Sequence, residues 1–115
     1  MQLIPATDGV AILFFLIVGH ALADYPLQGD FLANGKNRNT AIGKLFWPHA
    51  LFAHSMIHGG FVAAITGQVW LGVAEAVIHA ATDWLRCENR ISLRTDQAMH
   101  IACKVAWAHL ALWLA

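Results

Sequence analysis

Residues 10–28 read "VAILFFLIVGHALADYPLQ". The first ten are apolar or glycine. His20 follows, then Asp24 four positions on, then Pro26. The run has the composition of a helix that is greasy on every side, which belongs in a core or in lipid. Pro26 kinks or ends it, because proline removes a backbone donor and crowds the preceding turn. The helix therefore closes by setting an imidazole and a carboxylate one turn apart.

Working outward, four helical segments are predicted. The first spans 8–23, with Thr7 or Asp8 as its N-cap. The second spans 45–66 and the third 69–86. The fourth is capped by Thr95 or Asp96 and runs to the C-terminus. The stretch "GDFLANGKNRNTAIGK" between the first two is rich in Gly and Asn and reads as a loop, with room for one helical turn at an interface. "TGQ" and "CENRISLRT" are the other connections. The expectation is a single all-α domain over 1–115, a four-helix transmembrane bundle with short connections.

Composition leads to the same expectation. Of the 115 residues, 58% are hydrophobic and only 12% are charged, against about 25% charged in an average soluble domain. Segments of about 17 to 22 residues match the thickness of a bilayer. A soluble bundle would need a polar outer face on each helix, and "AMHIACKVAWAHLALWLA" offers only His100, Lys104 and His109. The net charge is zero, which argues against a nucleic-acid partner held by bulk electrostatics. Cys87 and Cys103 form no close pair and read as reduced packing residues. "MQLIPATDG" carries no basic region and no cleavage site follows the apolar run, so the first helix reads as retained.

Six of the seven basic residues fall on one side of this topology. Lys36, Arg38 and Lys44 lie in the first connection, and Arg86, Arg90 and Arg94 lie at the third. The positive-inside rule makes that side cytoplasmic and puts both termini outside the cytoplasm. Trp47 and Trp84 then lie near the cytoplasmic interface and Trp70 and Trp113 near the other, as an aromatic belt requires.

The pair that ends the first helix is repeated. His54 and His58, His79 and Asp83, and Asp96 and His100 share its spacing. Residues four apart on a helix point nearly the same way, so each pair can aim two ligands at one point. The topology brings all four pairs to the cytoplasmic end of the bundle. Ionisable groups inside a membrane segment are costly and mark function. One pair alone reads as an interfacial histidine or a helix cap, and Asp96 fits a cap. Four pairs at one depth read as a metal site formed by His20, Asp24, His54, His58, His79, Asp83, Asp96 and His100. The donors favour zinc, or another divalent transition metal such as iron or manganese, as one ion or two. Two imidazoles from one turn make His54 and His58 the strongest expected donors.

Glu75, four before His79, reads as a buried general base, a residue orienting His79, or a structural hydrogen-bond partner. Asp24 is the other candidate base. Lys104, four after His100, meets an anionic substrate, neutralises the site or snorkels to an interface. Gln28 can fold back toward the site. His49 lies roughly 140° from His54 around its helix, and His109 faces away from His100; both stay outside the site.

"GHALADYPLQ", "HSMIHGG", "HAATDWLR" and "RTDQAMHIA" together resemble an uncharacterised family of small integral membrane proteins of bacteria and their phages, a domain of unknown function. The resemblance covers about residues 10–110. It carries over to His20, Asp24, Gln28, Lys36, His54, His58, His79, Asp83, Asp96, Gln97 and His100. Arg86 stands where that pattern has lysine. The resemblance implies a multi-pass protein of the bacterial inner membrane and supplies no reaction; a likeness to membrane-bound metal-dependent hydrolases is more distant. Three functions stay open. One is a metal-dependent hydrolase acting on a membrane lipid or other amphiphile. The second is a metal-ion or proton conductor. The third is a metal-stapled bundle that binds a membrane-protein partner or a second copy of itself.

Overall fold

A computed structural model describes residues 8–115. Within them the chain forms five helices and no strand: α1 Gly9–Asp24, α2 Gly29–Gly35, α3 Ala41–Thr66, α4 Val69–Cys87 and α5 Leu93–Leu114. Residues 1–7, where Thr7 and the expected absence of a leader fall, lie outside this range. The expectation of all-α structure holds, and the count is corrected from four helices to five.

Each boundary has a local cause. The Asp8 side chain caps α1 by accepting from the Ala11 N–H at 2.8 Å, which satisfies one of the orphan donors of the first turn. Past Tyr25 the chain bends by 85° into α2, with Gly29 at φ +61 in the turn. The sequence reading places α3's start four residues too late. Thr40 caps it, accepting from the Gly43 N–H at 2.8 Å and donating to the Asn34 and Asn37 carbonyls. Pro48 lies inside α3; it deprives the Lys44 carbonyl of its helical partner without stopping the helix. Gly67, left-handed at φ +74, ends it. The start of α5 is likewise corrected. Ser92 is the cap, accepting from the Thr95 N–H at 3.1 Å, so Asp96 falls in the first turn with its side chain turned inward.

The four long helices form a ring. α3 packs most extensively on α4, α1 lies beside α3 and α5, α4 lies beside α5, and α2 rests on α3. The α3–α4 seam is a backbone contact. A Cβ at Gly59 would meet the Gly72 carbonyl oxygen at 2.5 Å, and one at Gly72 would meet that of Gly59 at the same distance. The molecule measures 44 × 24 × 21 Å.

The interior divides along this length. One half is apolar, built from Ile12, Leu16, Val62, Ile65, Leu71, Trp107, Ala108 and Ala111. The other half is packed with histidine and aspartate. Outside, the order is reversed: Phe14, Phe52, Val77, Trp70 and Trp113 face outward, the two tryptophans 80% and 81% exposed. Among the described residues no single helix is long and apolar enough to cross a membrane, whereas α1 and α2 meet that test together as a bent pair. The inward-facing charges and histidines of α3, α4 and α5 are part of what lowers their apolarity.

Candidate metal centre

Helix periodicity places each of the four pairs on the interior face of its own helix. The ring then brings His20 and Asp24 from α1, His54 and His58 from α3, His79 and Asp83 from α4, and Asp96 and His100 from α5 to one level. All are buried except Asp24, whose side chain is 14% exposed. The rings lie against one another: His58 stacks on His79 at 3.7 Å between centroids, and His79 on His100 at 4.3 Å.

Two carboxylates organise the imidazoles. Asp24 Oδ1 lies 2.8 Å from His58 Nε2 and 3.4 Å from His54 Nε2, and its Oδ2 lies 3.2 Å from His20 Nε2. Asp83 Oδ1 lies 3.1 Å from His100 Nε2; Oδ2 lies 3.3 Å from His79 Nε2 and 3.5 Å from His54 Nε2. Lys36, at the end of α2, donates to Asp83 Oδ2 at 2.7 Å. Gln97 bridges the flank: its Nε2 donates to Asp96 Oδ2 at 3.0 Å, and its Oε1 lies 3.3 Å from His20 Nε2. Gln28 does fold back, donating from Nε2 to the Asp24 carbonyl at 3.0 Å.

Two sets of these side chains can hold a metal ion, their ligand atoms lying within 4.8 Å of one another. One is Asp24, His54, His58 and His79; the other is His79, Asp83 and His100. His79 belongs to both. His20 and Asp96 stand beside the sets rather than in them. Neither ring nitrogen of His54 or of His79 has a hydrogen-bond partner. Buried polar groups without partners are rare and costly, and a metal ion is the kind of partner that would satisfy them. Three-ligand sets leave a coordination position open, whereas four-ligand sets close a tetrahedron.

A second network lies one turn deeper. Glu75 accepts a hydrogen bond from Lys104 Nζ and one of 2.6 Å from the Trp107 indole. Its Oε1 lies 3.6 Å from His79 Nδ1. Lys104 is fully buried and does not snorkel. The sequence reading has Glu75 as a hydrogen-bond partner and Lys104 as a neutralising charge without joining the two, although the spacing carries a signal for the pair. In an antiparallel α4–α5 pair, the register that sets His79 level with His100 also sets Glu75 level with Lys104. His49 and His109 are exposed, away from the cluster.

A polar cavity of about 220 Å³ opens beside the cluster, with Asp24 and Asp83 in its wall. Over the α4–α5 connection Arg38 grips Glu88 with both ends of its fork, Nη2 to Oε1 at 2.5 Å and Nε to Oε2 at 3.1 Å, and Asn39 adds a third bond at 2.7 Å. Those hydrogen bonds, Arg38's first, hold the Glu88 carboxyl down at about 2.

An all-helical chain that gathers four His/Asp pairs into one metal-competent centre is the class that fold and site define. The chain belongs to DUF3307, a family of proteins of unknown function, whose pattern matches residues 12–115. No curated protein and no solved structure matches it.

Proposed function

We propose that this chain is an integral protein of the cytoplasmic membrane, with both termini outside the cytoplasm. It holds a transition-metal ion, zinc first, near the cytoplasmic face, and it hydrolyses an ester or phosphoester of a lipid or other amphiphile there. The membrane reading rests on the inverted polarity of the bundle. Large apolar side chains stand outside while charges and imidazoles fill half the interior; an apolar exterior of that extent marks contact with lipid or partners.

The observation that carries the hydrolytic reading is the three-ligand set of His79, Asp83 and His100 beside a cavity that also exposes Asp24. A metal there supplies Lewis-acid polarisation of a substrate oxygen and lowers the pKa of water. Asp24, braced by His58 and His20, is placed to take the water's proton as the water oxygen bonds to the electrophilic carbon or phosphorus. The ester bond then breaks and the departing oxygen receives that proton. Glu75, with Oε1 3.6 Å from His79 Nδ1, sets a negative charge behind that ring without hydrogen-bonding to it.

A second reading, a structural staple, is favoured by the four-ligand set, three of whose members are fully buried. A conductor is disfavoured, because the described residues that fill the other half of the interior are mainly apolar. The test is zinc content and X-ray absorption of the detergent-purified chain, with terminal reporter fusions for topology. Three protein ligands plus water support the hydrolase. A closed shell of four protein ligands selects the staple, and zinc-free protein that gains no thermal stability from added zinc rejects both.

A further inference from the structure

The cavity beside the metal centre carries two cations that the hydrolytic reading leaves unused. Its wall includes the carboxylates of Asp24, Asp83 and Asp96, the cations of Lys36 and Arg86, and the amide of Gln28. Lys36 is paired with Asp83, which occupies one of its three N–H donors. The Arg86 guanidinium has no hydrogen-bond or ion-pair partner among the described residues. It sits in the last turn of α4, one turn beyond Asp83. Gln28 Oε1 is buried and also lacks a hydrogen-bond partner.

Resting on the metal reading above, we propose that this cavity binds a phosphate-type oxyanion, and binds it only after the metal. The charge balance imposes the order. Three carboxylates against two cations leave the wall net negative and repel an anion. One divalent ion among the ligands reverses the sign. Arg86 and Lys36 would then meet the same anion from α4 and from the end of α2, and a metal held by Asp24 or Asp83 with the histidines would add a third positive partner. Three separate cationic partners suit a group with three free oxygens better than a planar carboxylate with two. The guanidinium fork suits such a group in two parallel hydrogen bonds. Phosphate of this kind is offered equally by a phospholipid head group and by free phosphate.

The experiment is calorimetric titration of the full detergent-solubilised chain with inorganic phosphate, metal-free and after zinc loading with excess zinc removed. Zinc should tighten phosphate binding at least tenfold. Arg86→Gln should weaken it about tenfold, the worth of a charge-assisted pair, and leave zinc affinity within twofold. Arg90→Gln, whose guanidinium stacks on Trp84 outside the cavity, should leave phosphate affinity unchanged. A short-chain phosphatidic acid that binds more tightly than phosphate assigns the head group; equal affinity assigns free phosphate. Acetate binding as tightly as phosphate, or an Arg86→Gln chain that binds phosphate normally, overturns the proposal while zinc still binds. A chain that takes up no zinc fails at the metal reading instead.

Discussion

The two halves of this bundle's interior are built on opposite terms. In the apolar half, Leu16, Val62 and Ile65 fill space with side chains that need nothing but contact. In the polar half, every side chain must find a partner, and His54 and His79 have no hydrogen-bond partner at either ring nitrogen. The first half holds the helices together by packing. The second spends stability to keep imidazoles and carboxylates within reach of a common point. Glu75, Lys104 and Trp107 stand at the border, and Trp107 belongs to both sides: its ring joins the apolar cluster while its N–H meets Glu75. A site that gathers costly groups beside a well-packed half is the usual signature of function rather than of folding.

The sharpest way to break the comparison is to remove His79, the residue common to both ligand sets. His79→Ala should abolish tight zinc binding, a loss of at least 100-fold, because whichever set holds the ion loses a ligand. His54→Ala and His58→Ala should do as much only if the four-ligand set is the one used, so comparing the three variants by zinc titration locates the ion. This moves the expected weight from His54 and His58, where the sequence alone puts it, to α4. Zinc retained by His79→Ala at full affinity would falsify both sets.

Next in size is the border. Lys104→Met leaves the Glu75 carboxylate buried with only the indole as donor, and removing one partner of a buried pair costs about 3–5 kcal/mol. Thermal unfolding in detergent should show that loss, and Glu75→Gln combined with Lys104→Met should recover most of it. A double variant no more stable than Lys104→Met would mean that lost packing, not the unpaired charge, sets the cost.

Much of this arrangement is legible in the sequence, and the reason is periodic. The four His/Asp pairs share one spacing, and a helix converts that spacing into a shared face without help from tertiary structure. The start of α1 and the end of α3 are equally legible, since Asp8 and Gly67 are local signals. What stayed hidden depends on neighbours. α2 contains Gly29, Asp30, Asn34 and Gly35, poor helix formers whose order comes from resting on α3. Thr40 lies inside the Gly- and Asn-rich stretch that reads as a loop, so its capping role shows only once α3 is seen to begin at Ala41. The Glu75–Lys104 pair joins residues far apart in the chain, and only the register of α4 against α5 reveals it. Lys36 reached the site reading through resemblance alone, since nothing local points it at Asp83.

The apolar half gives a contrasting, smaller effect. Leu16 is almost fully buried there, and Leu16→Ala should cost about 2–4 kcal/mol through lost contacts and the cavity left behind. Zinc affinity should change less than threefold, because the variant alters packing and leaves every ligand in place. A large fall in zinc affinity would show that the two halves are coupled rather than built side by side.

The smallest effect belongs to the outer edge of the polar half, where Arg38 and Asn39 reach across to Glu88. This contact joins the α2–α3 connection to the end of α4, both of which border the cavity. It is open to solvent, so its strength is screened and its contribution to stability is slight. Its sign is nonetheless fixed. The Glu88 carboxyl is held at about 2, below its ordinary value near 4.5, so the folded chain binds its proton more weakly than the unfolded chain does. The contribution is therefore complete above about pH 4.5 and is lost as the pH falls through about 2. Unfolding of the native chain and of Glu88→Gln, compared from pH 7 down to pH 2, should show a small gap that narrows to nothing at the acid end. Added salt should shrink the same gap at pH 7. A gap undiminished between pH 7 and pH 2 would assign the effect of Glu88→Gln to the neutral hydrogen bond with Asn39 instead of to the charge. A gap that widens toward acid would reverse the sign argued here and detach Glu88 from Arg38 altogether.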